Sequence, residues 1–216
     1  MTAFPTWGSI STAIASDALD RLGRRDRVLD HHIRPIRSDG RLMVGRARTL
    51  AFEPGTSEDR DAMLNDYIRF IDSIEPDDVA IIACGSGGPY GVWGDVLSTA
   101  CVQRGAAGVV TDGFSRDILG IHAIGLNLFC GGIGPDDVGG RARIVGIDVP
   151  ARCGGVEIAH GDIIVGDYDG CVAIPASLAD DVLAYGREAL VKDEATLEQV
   201  RSGKLLGEVF KITGVF

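Results

Sequence analysis

The chain has 216 residues, which is enough for one ordinary globular domain to bury a core without disulfides or a structural metal. Its 31 acidic and 21 basic residues give a formal net charge of −10. This balance argues against a nucleic-acid partner, because binding to phosphate backbones draws on Lys and Arg. The five cysteines are odd in number and show no Cys-x-x-Cys spacing, so we expect reduced thiols.

The beginning of the chain has no basic segment followed by an apolar run, as a secretory signal would have. No apolar stretch approaches the roughly 18 residues that a membrane span needs. We therefore expect a soluble, cytoplasmic protein with no membrane partner.

The first predicted element is a helix over Ser11 to Leu22, with Ser11 as its N-cap and Gly23 as its C-terminal stop. Its apolar stripe is predicted to consist of Ile14, Ala18 and Leu22. Strand-like residues follow over Ile33 to Ala51, and the pair Pro54-Gly55 ends them. Helical spacing of apolar residues returns over Met63 to Ile74.

The middle third indicates a βαβ crossover with two parallel strands. The predicted order is a buried strand, a glycine-rich loop, a helix and a second buried strand: Asp78 to Cys84, Gly85 to Gly91, Asp95 to Arg104, and Ala107 to Thr111. The pair Asp112-Gly113 is expected to close the second strand. Ser115 is expected to cap another short helix.

The last third contains two short apolar runs, Asp162 to Gly166 and Cys171 to Ile174, separated by the tight-turn sequence Asp-Tyr-Asp-Gly. This pattern predicts a β-hairpin. Ser177 to Val200 has the composition of a terminal helix, with Ser177 as a plausible N-cap. The chain shows no internal repeat or linker, so we expect a single domain over residues 1–216.

Polar residues follow both strands of the predicted crossover. Gly94-Asp95 begins the first helix, and Arg116-Asp117 begins the next. Loops at the carboxyl ends of adjacent parallel strands open on the same edge, so Asp95, Arg116 and Asp117 are expected to converge there. Helix N-termini and an arginine fork suit a small carboxylate, and two carboxylates suit Mg²⁺ or Mn²⁺.

The sequence also allows purely structural explanations of the same residues. Asp95 at a helix start can be an ordinary N-cap, and Arg116 beside Asp117 can be a surface ion pair of small energy. Other sites are disfavoured: the glycine-rich loop lacks the third glycine of a dinucleotide fingerprint, and the four histidines form no His-Glu-x-x-His motif.

Three segments together resemble the RraA-like family: Gly91 to Asp117, Gly161 to Pro175, and Ser11 to Gly23. This family includes metal-dependent 4-hydroxy-4-methyl-2-oxoglutarate/4-carboxy-4-hydroxy-2-oxoadipate aldolases and the RraA regulators of ribonuclease E. The aldolase branch carries an Asp, twenty residues, then Arg-Asp, as this chain does at Asp95, Arg116 and Asp117. The similarity extends over roughly Ser11 to Gly207.

The resemblance implies an α/β fold with a swivelling β/β/α domain, its sheets enclosed by helices, assembled as a homotrimer or hexamer. Asp117 would hold the divalent metal and Arg116 would bind the pyruvyl part of a 2-oxo acid. The turn Gly94-Asp95-Val96-Leu97 would contribute backbone amides and a carboxylate for metal-bound water. The helix over about residues 177–200 would lie at a subunit interface, where Glu194 or Asp193 of a neighbour could assist.

The implied reaction is cleavage of a 4-hydroxy-2-oxo acid to pyruvate through an enolate, which a metal and Arg116 would stabilise. Asp95, acting through water, is the candidate for activating the general base. Oxaloacetate decarboxylation shares this enolate and is expected as a possible side activity. The alternative is a non-catalytic regulator that binds a ribonuclease. Loops around Phe52 to Asp59 are expected to line the distal part of the substrate pocket.

Overall fold

The computed structural model describes residues 4, 7–36, 41–56, 60–85 and 88–214. Six α-helices lie in these ranges: α1 (Thr12–Arg21), α2 (Arg60–Asp72), α3 (Asp95–Gln103), α4 (Ile118–Ile124), α5 (Ala179–Arg201) and α6 (Leu206–Thr213). The strands are β1 (Arg34–Pro35), β2 (Met43–Pro54), β3 (Asp78–Ala83), β4 (Gly91–Trp93), β5 (Gly108–Ser115), β6 (Leu128–Ile133), β7 (Ala142–Ile147), β8 (Ala151–Cys153), β9 (Val156–Ile158), β10 (Ile163–Asp167) and β11 (Gly170–Ile174).

Nine of these strands form one sheet in the order β1-β6-β5-β3-β2-β10-β11, with β4 beside β5 and β7 beside β2. Strands β2, β3, β5 and β6 run parallel to one another. The sheet is nearly closed and helices pack around it, which confirms the predicted mixed α/β class. The βαβ crossover is also confirmed, because β3 and β5 are adjacent and parallel and α3 connects them.

The core divides into clusters on the two faces of the sheet. One cluster holds the buried faces of α2, α3 and α4 against β3 and β5. A second lies on the other face, where the β8–β9 hairpin covers residues such as Ile81 and Val110. A third packs α1 and α5 against β10 and β11. Helices α2, α3 and α4 therefore cover the face of β3 and β5 on which the candidate site opens.

Helix α1 has the predicted cap, since the Ser11 hydroxyl accepts a hydrogen bond from the Ile14 amide. The predicted apolar stripe is wrong in part, because Leu22 lies outside the helix and is exposed. The residues that α1 buries are Thr12, Ala15, Ala18 and Leu19. The small alanines allow α1 to approach the β10–β11 hairpin closely, and this hairpin is paired as predicted.

Strand β5 continues beyond its predicted end at Asp112-Gly113. Gly113 lies within the strand at an irregularity, because the pairing of β5 with β6 shifts register between Thr111 and Phe114. It packs closely, since a Cβ there would be 2.8 Å from Cys84 Sγ. The Asp112 carboxylate accepts hydrogen bonds from the Cys84 and Gly154 amides, and burial raises its pKa. The strand therefore reaches Ser115, which does not cap α4; Ser115 Oγ donates to Trp93 O instead.

The C-terminal part also differs from its prediction. Ser177 is not an N-cap; it lies in a 3-10 turn over Ala176–Leu178, and α5 begins at Ala179. Helix α6 follows α5 after a short turn and was not predicted from the sequence. Within the described ranges, no helix is long and apolar enough to cross a membrane.

Candidate active site

A pocket of about 240 Å³ opens beside β4, where the carboxyl ends of the parallel strands meet. Its walls come from α2, from β4 and the start of α3, and from two later loops at residues 116–117 and 137–138. All six residues that the sequence assigned to the site line this pocket: Gly94, Asp95, Val96, Leu97, Arg116 and Asp117. The expected convergence of Asp95, Arg116 and Asp117 is therefore present in the fold.

The turn from β4 into α3 is held by buried hydrogen bonds. Trp93 Nε1 donates to Ser98 Oγ over 2.8 Å, and Ser98 Oγ donates to the Gly94 carbonyl over 2.8 Å. The Arg116 amide donates to the Trp93 carbonyl over 3.0 Å. Because both loops are tied to the buried Trp93, the start of α3 and the Arg116-Asp117 segment keep a fixed separation.

Asp95 is the first residue of α3, and its N-cap is Gly94. No side-chain hydrogen bond caps this helix, so the ordinary capping role considered for Asp95 is not what the structure shows. The carboxylate instead packs against α4: a Cβ on Gly120 would lie 2.9 Å from Asp95 Oδ2. The absence of a side chain at Gly120 leaves the space that Asp95 occupies.

Asp117 occupies the N-cap position of α4 in the left-handed region, with φ of 58°. A non-glycine residue in this region is uncommon, and such residues concentrate at functional sites. Its side chain makes no capping hydrogen bond and lies against Gly94, where a Cβ would be 2.7 Å from Asp117 Oδ2. In this backbone conformation the carboxylate lies in the pocket wall and does not cap its own helix.

Arg116 forms ion pairs with two carboxylates in the pocket wall. Its Nε lies 3.6 Å from Asp117 Oδ2, and its Nη1 lies 3.1 Å from Asp137 Oδ2. Arg116 and Asp117 are both partly exposed, as expected for a surface ion pair. Both also line the pocket, so their exposed atoms face the space that a ligand would occupy. Two fixed partners reduce the freedom of the guanidinium and orient its fork.

Asp137 is a pocket residue that was not predicted from the sequence. This residue follows β6, which is parallel to β5, so its loop reaches the same edge of the sheet. Asp137 Oδ1 accepts from the Gly139 amide over 2.7 Å, and the neighbouring Asp136 carbonyl accepts from the Gly91 amide over 2.8 Å. The short apolar run over residues 128–130 and the Gly-Pro-Asp-Asp at residues 134–137 could have indicated a third strand and loop.

The opposite wall of the pocket is apolar. It is formed by side chains of α2 and α3: Met63, Leu64, Tyr67, Ile68, Val96 and Leu97. The Tyr67 hydroxyl donates to the Val92 carbonyl, and burial raises the pKa of this phenol well above its usual range. Of the distal loop predicted over Phe52 to Asp59, residues 57–59 lie outside the described residues.

The carboxylates of the pocket fit a divalent cation that keeps some of its waters. They do not form a site closed by protein ligands alone. No group of three or more His, Cys, Asp or Glu side chains that could hold a metal occurs among the residues that the structure describes. Mg²⁺ usually binds through one or two carboxylates, retains waters and takes further oxygens from the substrate. Asp117 and Asp95 in one pocket provide carboxylates of that kind.

The two acids suggested as contributions from a neighbouring subunit do not line this pocket within one chain. Both lie on α5; Glu194 is exposed, and Asp193 lines a separate groove between α1, α5 and α6.

Comparison with known proteins places this arrangement in a family. The family model RraA-like, described as Aldolase/RraA, matches residues 12–173. The chain belongs to the RraA-like family. This member is 34% identical over 187 residues to a Halalkalibacterium halodurans protein named "Putative 4-hydroxy-4-methyl-2-oxoglutarate aldolase", with 87% of this chain and 83% of that protein covered.

Two solved structures extend the comparison of this RraA-like chain. A protein of unassigned function from Pseudomonas syringae pv. tomato matches with a TM-score of 0.85 and 28% identity, covering 96% of this chain and 92% of that chain. Streptomyces coelicolor RraAS2, described as an unusual member of the RNase ES inhibitor RraA protein family, matches with a TM-score of 0.78 and 28% identity. That match covers 88% of this chain and 93% of RraAS2. The relatives thus bear both an aldolase name and a regulator name.

Proposed function

We propose that this RraA-like protein is a divalent-metal-dependent lyase that cleaves a 4-hydroxy-2-oxo acid to pyruvate. The observation that carries the proposal is the meeting of Asp95, Arg116 and Asp117 in one pocket at the carboxyl edge of the sheet. The aldolase name of the H. halodurans relative supports it. Decarboxylation of oxaloacetate is proposed as a further activity, because it passes through the same enolate of pyruvate.

The proposed reaction begins when the C4 hydroxyl of the substrate loses its proton to a water molecule that Asp95 holds, and this proton is available to be returned later to C3. The C3–C4 bond then breaks, C4 becomes a carbonyl carbon, and the bonding electrons form an enolate whose charge rests on the keto oxygen. Protonation at C3 releases pyruvate. Arg116 binds the carboxylate of the 2-oxo acid and stabilises the developing negative charge nearby.

Asp117, with Asp95 beside it, would hold Mg²⁺ or Mn²⁺. A bound cation of this kind supplies Lewis-acid stabilisation of charge on the keto oxygen. The protein itself would hold the two acids and the arginine at fixed relative positions, because both loops are hydrogen-bonded to Trp93.

The test is a coupled pyruvate assay on 4-hydroxy-4-methyl-2-oxoglutarate, other 4-hydroxy-2-oxo acids and oxaloacetate. We expect turnover with Mg²⁺ or Mn²⁺, loss with a chelator and recovery when the metal is restored. Arg116→Ala should lower kcat/KM by about 10²–10³-fold, and Asp117→Asn should also weaken Mn²⁺ binding in calorimetry. Arg152→Ala, at an exposed position outside the pocket, is the matched control and should behave as the wild type.

The second candidate function is a non-catalytic regulator that binds a ribonuclease. The similarity to RraAS2, described as a member of an RNase inhibitor family, supports it. Binding to a ribonuclease together with no pyruvate release from any substrate in the panel would favour this function over the lyase.

A homotrimer or hexamer is proposed for the assembled protein. Exposed apolar residues on and beside α6 support it, because isolated copies would leave Leu205, Phe210 and Ile212 in water. Light scattering coupled to size-exclusion chromatography measures the mass directly, and a monomeric mass would contradict the proposal.

A further inference from the structure

A buried hydroxyl lies in the first turn of α3. Ser98 is fully buried, and its Oγ accepts a hydrogen bond from Trp93 Nε1 over 2.8 Å and donates one to the Gly94 carbonyl over 2.8 Å. A serine inside a helix commonly bonds to the carbonyl four residues before it. Ser98 makes this bond and also accepts the indole N–H of a strand residue, so it connects the start of α3 to β4.

Trp93 extends this connection to the second loop of the pocket. Its carbonyl accepts hydrogen bonds from the Arg116 amide over 3.0 Å and from Ser115 Oγ over 3.3 Å. Trp93 is buried, and it pairs with Ser115 in the register of β4 with β5. One buried residue therefore has its indole fixed by α3, which begins with Asp95, and its carbonyl fixed by the segment that carries Arg116.

Thr99, the next residue of α3, offers a comparison within the same turn. Its Oγ1 donates to the Asp95 carbonyl over 2.8 Å, which is again a bond to the carbonyl four residues before. Thr99 is exposed, and this bond stays within the helix. Because both hydroxyls make the same local bond, the difference between their removals measures the link of Ser98 to Trp93.

Within the proposed lyase function, on which this step rests, we infer that Ser98 is a positioning residue that acts through Trp93 and holds Asp95 at a fixed place relative to Arg116 and Asp117. Ser98 itself does not line the pocket. Loss of its hydroxyl leaves the buried indole N–H without a partner, which favours a shift of Trp93 or of the helix start. Misplacement of a site group by about 1 Å can lower a rate about 100-fold.

The effect of losing this hydroxyl should fall on kcat. Asp95 moves with α3, whereas Arg116, which would bind the substrate carboxylate, keeps its ion pairs to Asp117 and Asp137. We expect Ser98→Ala to lower kcat for pyruvate release by about 10–100-fold and to change KM by less than about threefold. Thr99→Val, the matched control, removes a hydroxyl without changing the shape of the side chain and should keep both parameters within about twofold of the wild type.

A third variant separates positioning from stability. The unpaired indole N–H should lower the Tm of Ser98→Ala by roughly 2–8 °C. Ile164 is a fully buried residue of β10 outside the pocket, and Ile164→Val should lower Tm by a comparable amount. We expect this variant to retain the wild-type kcat at an assay temperature well below Tm. An equal fall of kcat in Ile164→Val and Ser98→Ala would overturn the inference.

A double-mutant cycle with Trp93→Phe tests the route through the indole. This change keeps an aromatic ring and removes the N–H that Ser98 accepts. If both changes break the same link, the double variant should have a kcat close to that of the slower single variant. Losses that multiply would overturn the inference, because the two residues would then act independently.

The outcomes distinguish this inference from the proposed function. A folded Ser98→Ala protein with wild-type kcat would overturn the inference and leave the lyase proposal intact. If Ser98→Ala does not fold, Trp93→Phe removes the same hydrogen bond from its other end, and a wild-type kcat in that variant would overturn the inference as well. Absence of pyruvate release by the wild type on every substrate of the panel would overturn both.

Discussion

Adding one methyl group at Gly94 should displace the Asp117 carboxylate without removing any polar group. A Cβ at this position would lie 2.7 Å from Asp117 Oδ2, closer than real contacts of this kind allow. Ordinary van der Waals contact begins near 3.4 Å, so the carboxylate must retreat by about 0.7 Å. The Gly94 backbone itself accepts alanine, because its φ of −155° is extended.

Two consequences of Gly94→Ala follow, and they differ in size. The cost in folding should stay at or below about 1 kcal/mol, since alanine is only a poorer N-cap than glycine and the partly exposed Asp117 side chain can shift outward by this small distance. For a chain of this length that is a fall in Tm of roughly 2–4 °C. The cost in catalysis should be larger, because misplacement of a site group by about 1 Å can reduce the rate about 100-fold.

The assay is steady-state pyruvate release by Gly94→Ala, with kcat/KM expected to fall by about 10–100-fold. Gly120→Ala displaces the other carboxylate, since its Cβ would lie 2.9 Å from Asp95 Oδ2, and should lower kcat/KM as well. Gly207→Ala is the control, because a Cβ there meets no atom within 4 Å. A folded Gly94→Ala protein with wild-type kcat/KM would refute the reasoning that the position of Asp117 matters.

Three other outcomes can be checked with the same preparation. Asp137→Asn removes the 3.1 Å ion pair to Arg116, and we expect KM for the 2-oxo acid to rise about tenfold while Tm changes little; an unchanged KM would contradict an orienting role. All five cysteines are buried, and desolvation raises the pKa of Cys84 to about 12, so native protein should resist a thiol reagent at pH 8 and urea-unfolded protein should react fully; fast reaction in the native state would contradict this burial. Burial is the largest single influence on the pKa of Asp148 and raises it, but the hydrogen bonds and charge of Arg48, together with those of His160, lower it by more in sum. The net pKa is therefore depressed, so the stabilisation is present above about pH 4 and is lost as pH falls through the folded-state pKa. Asp148→Asn should therefore lower the urea-derived free energy of unfolding by about 1 kcal/mol at pH 7 and by much less near pH 3; an equal difference at both pH values would contradict the assignment.

The sequence by itself determined the elements whose signals are local. The Ser11 cap of α1, the buried run of β3 and the β10–β11 hairpin each depend on residues only a few positions apart. The convergence of Asp95 with Arg116-Asp117 follows from the sequence only on the condition that the two parallel strands are adjacent, and the pairing of β3 with β5 meets this condition. Local propensity and strand geometry were sufficient for the first three features.

Only the tertiary structure decided features that depend on distant partners. Asp112-Gly113 has the sequence of a turn, yet β5 runs through it because Asp112 is bonded to the Cys84 and Gly154 amides. In the same way, pairing of β5 with β4 occupies Ser115, which therefore does not cap α4. In each case hydrogen bonds to another element outweigh the local preference.

The pocket wall also contains features that only the tertiary structure decided. Asp137 lies 21 positions after Arg116, and the two side chains meet only because β6 is placed parallel to β5. Leu64 and Ile68 have the spacing of core residues on a helix, but the sheet does not cover them, so they face the pocket. Periodicity identifies which residues share a helix face, whereas only packing decides whether protein or a ligand covers that face.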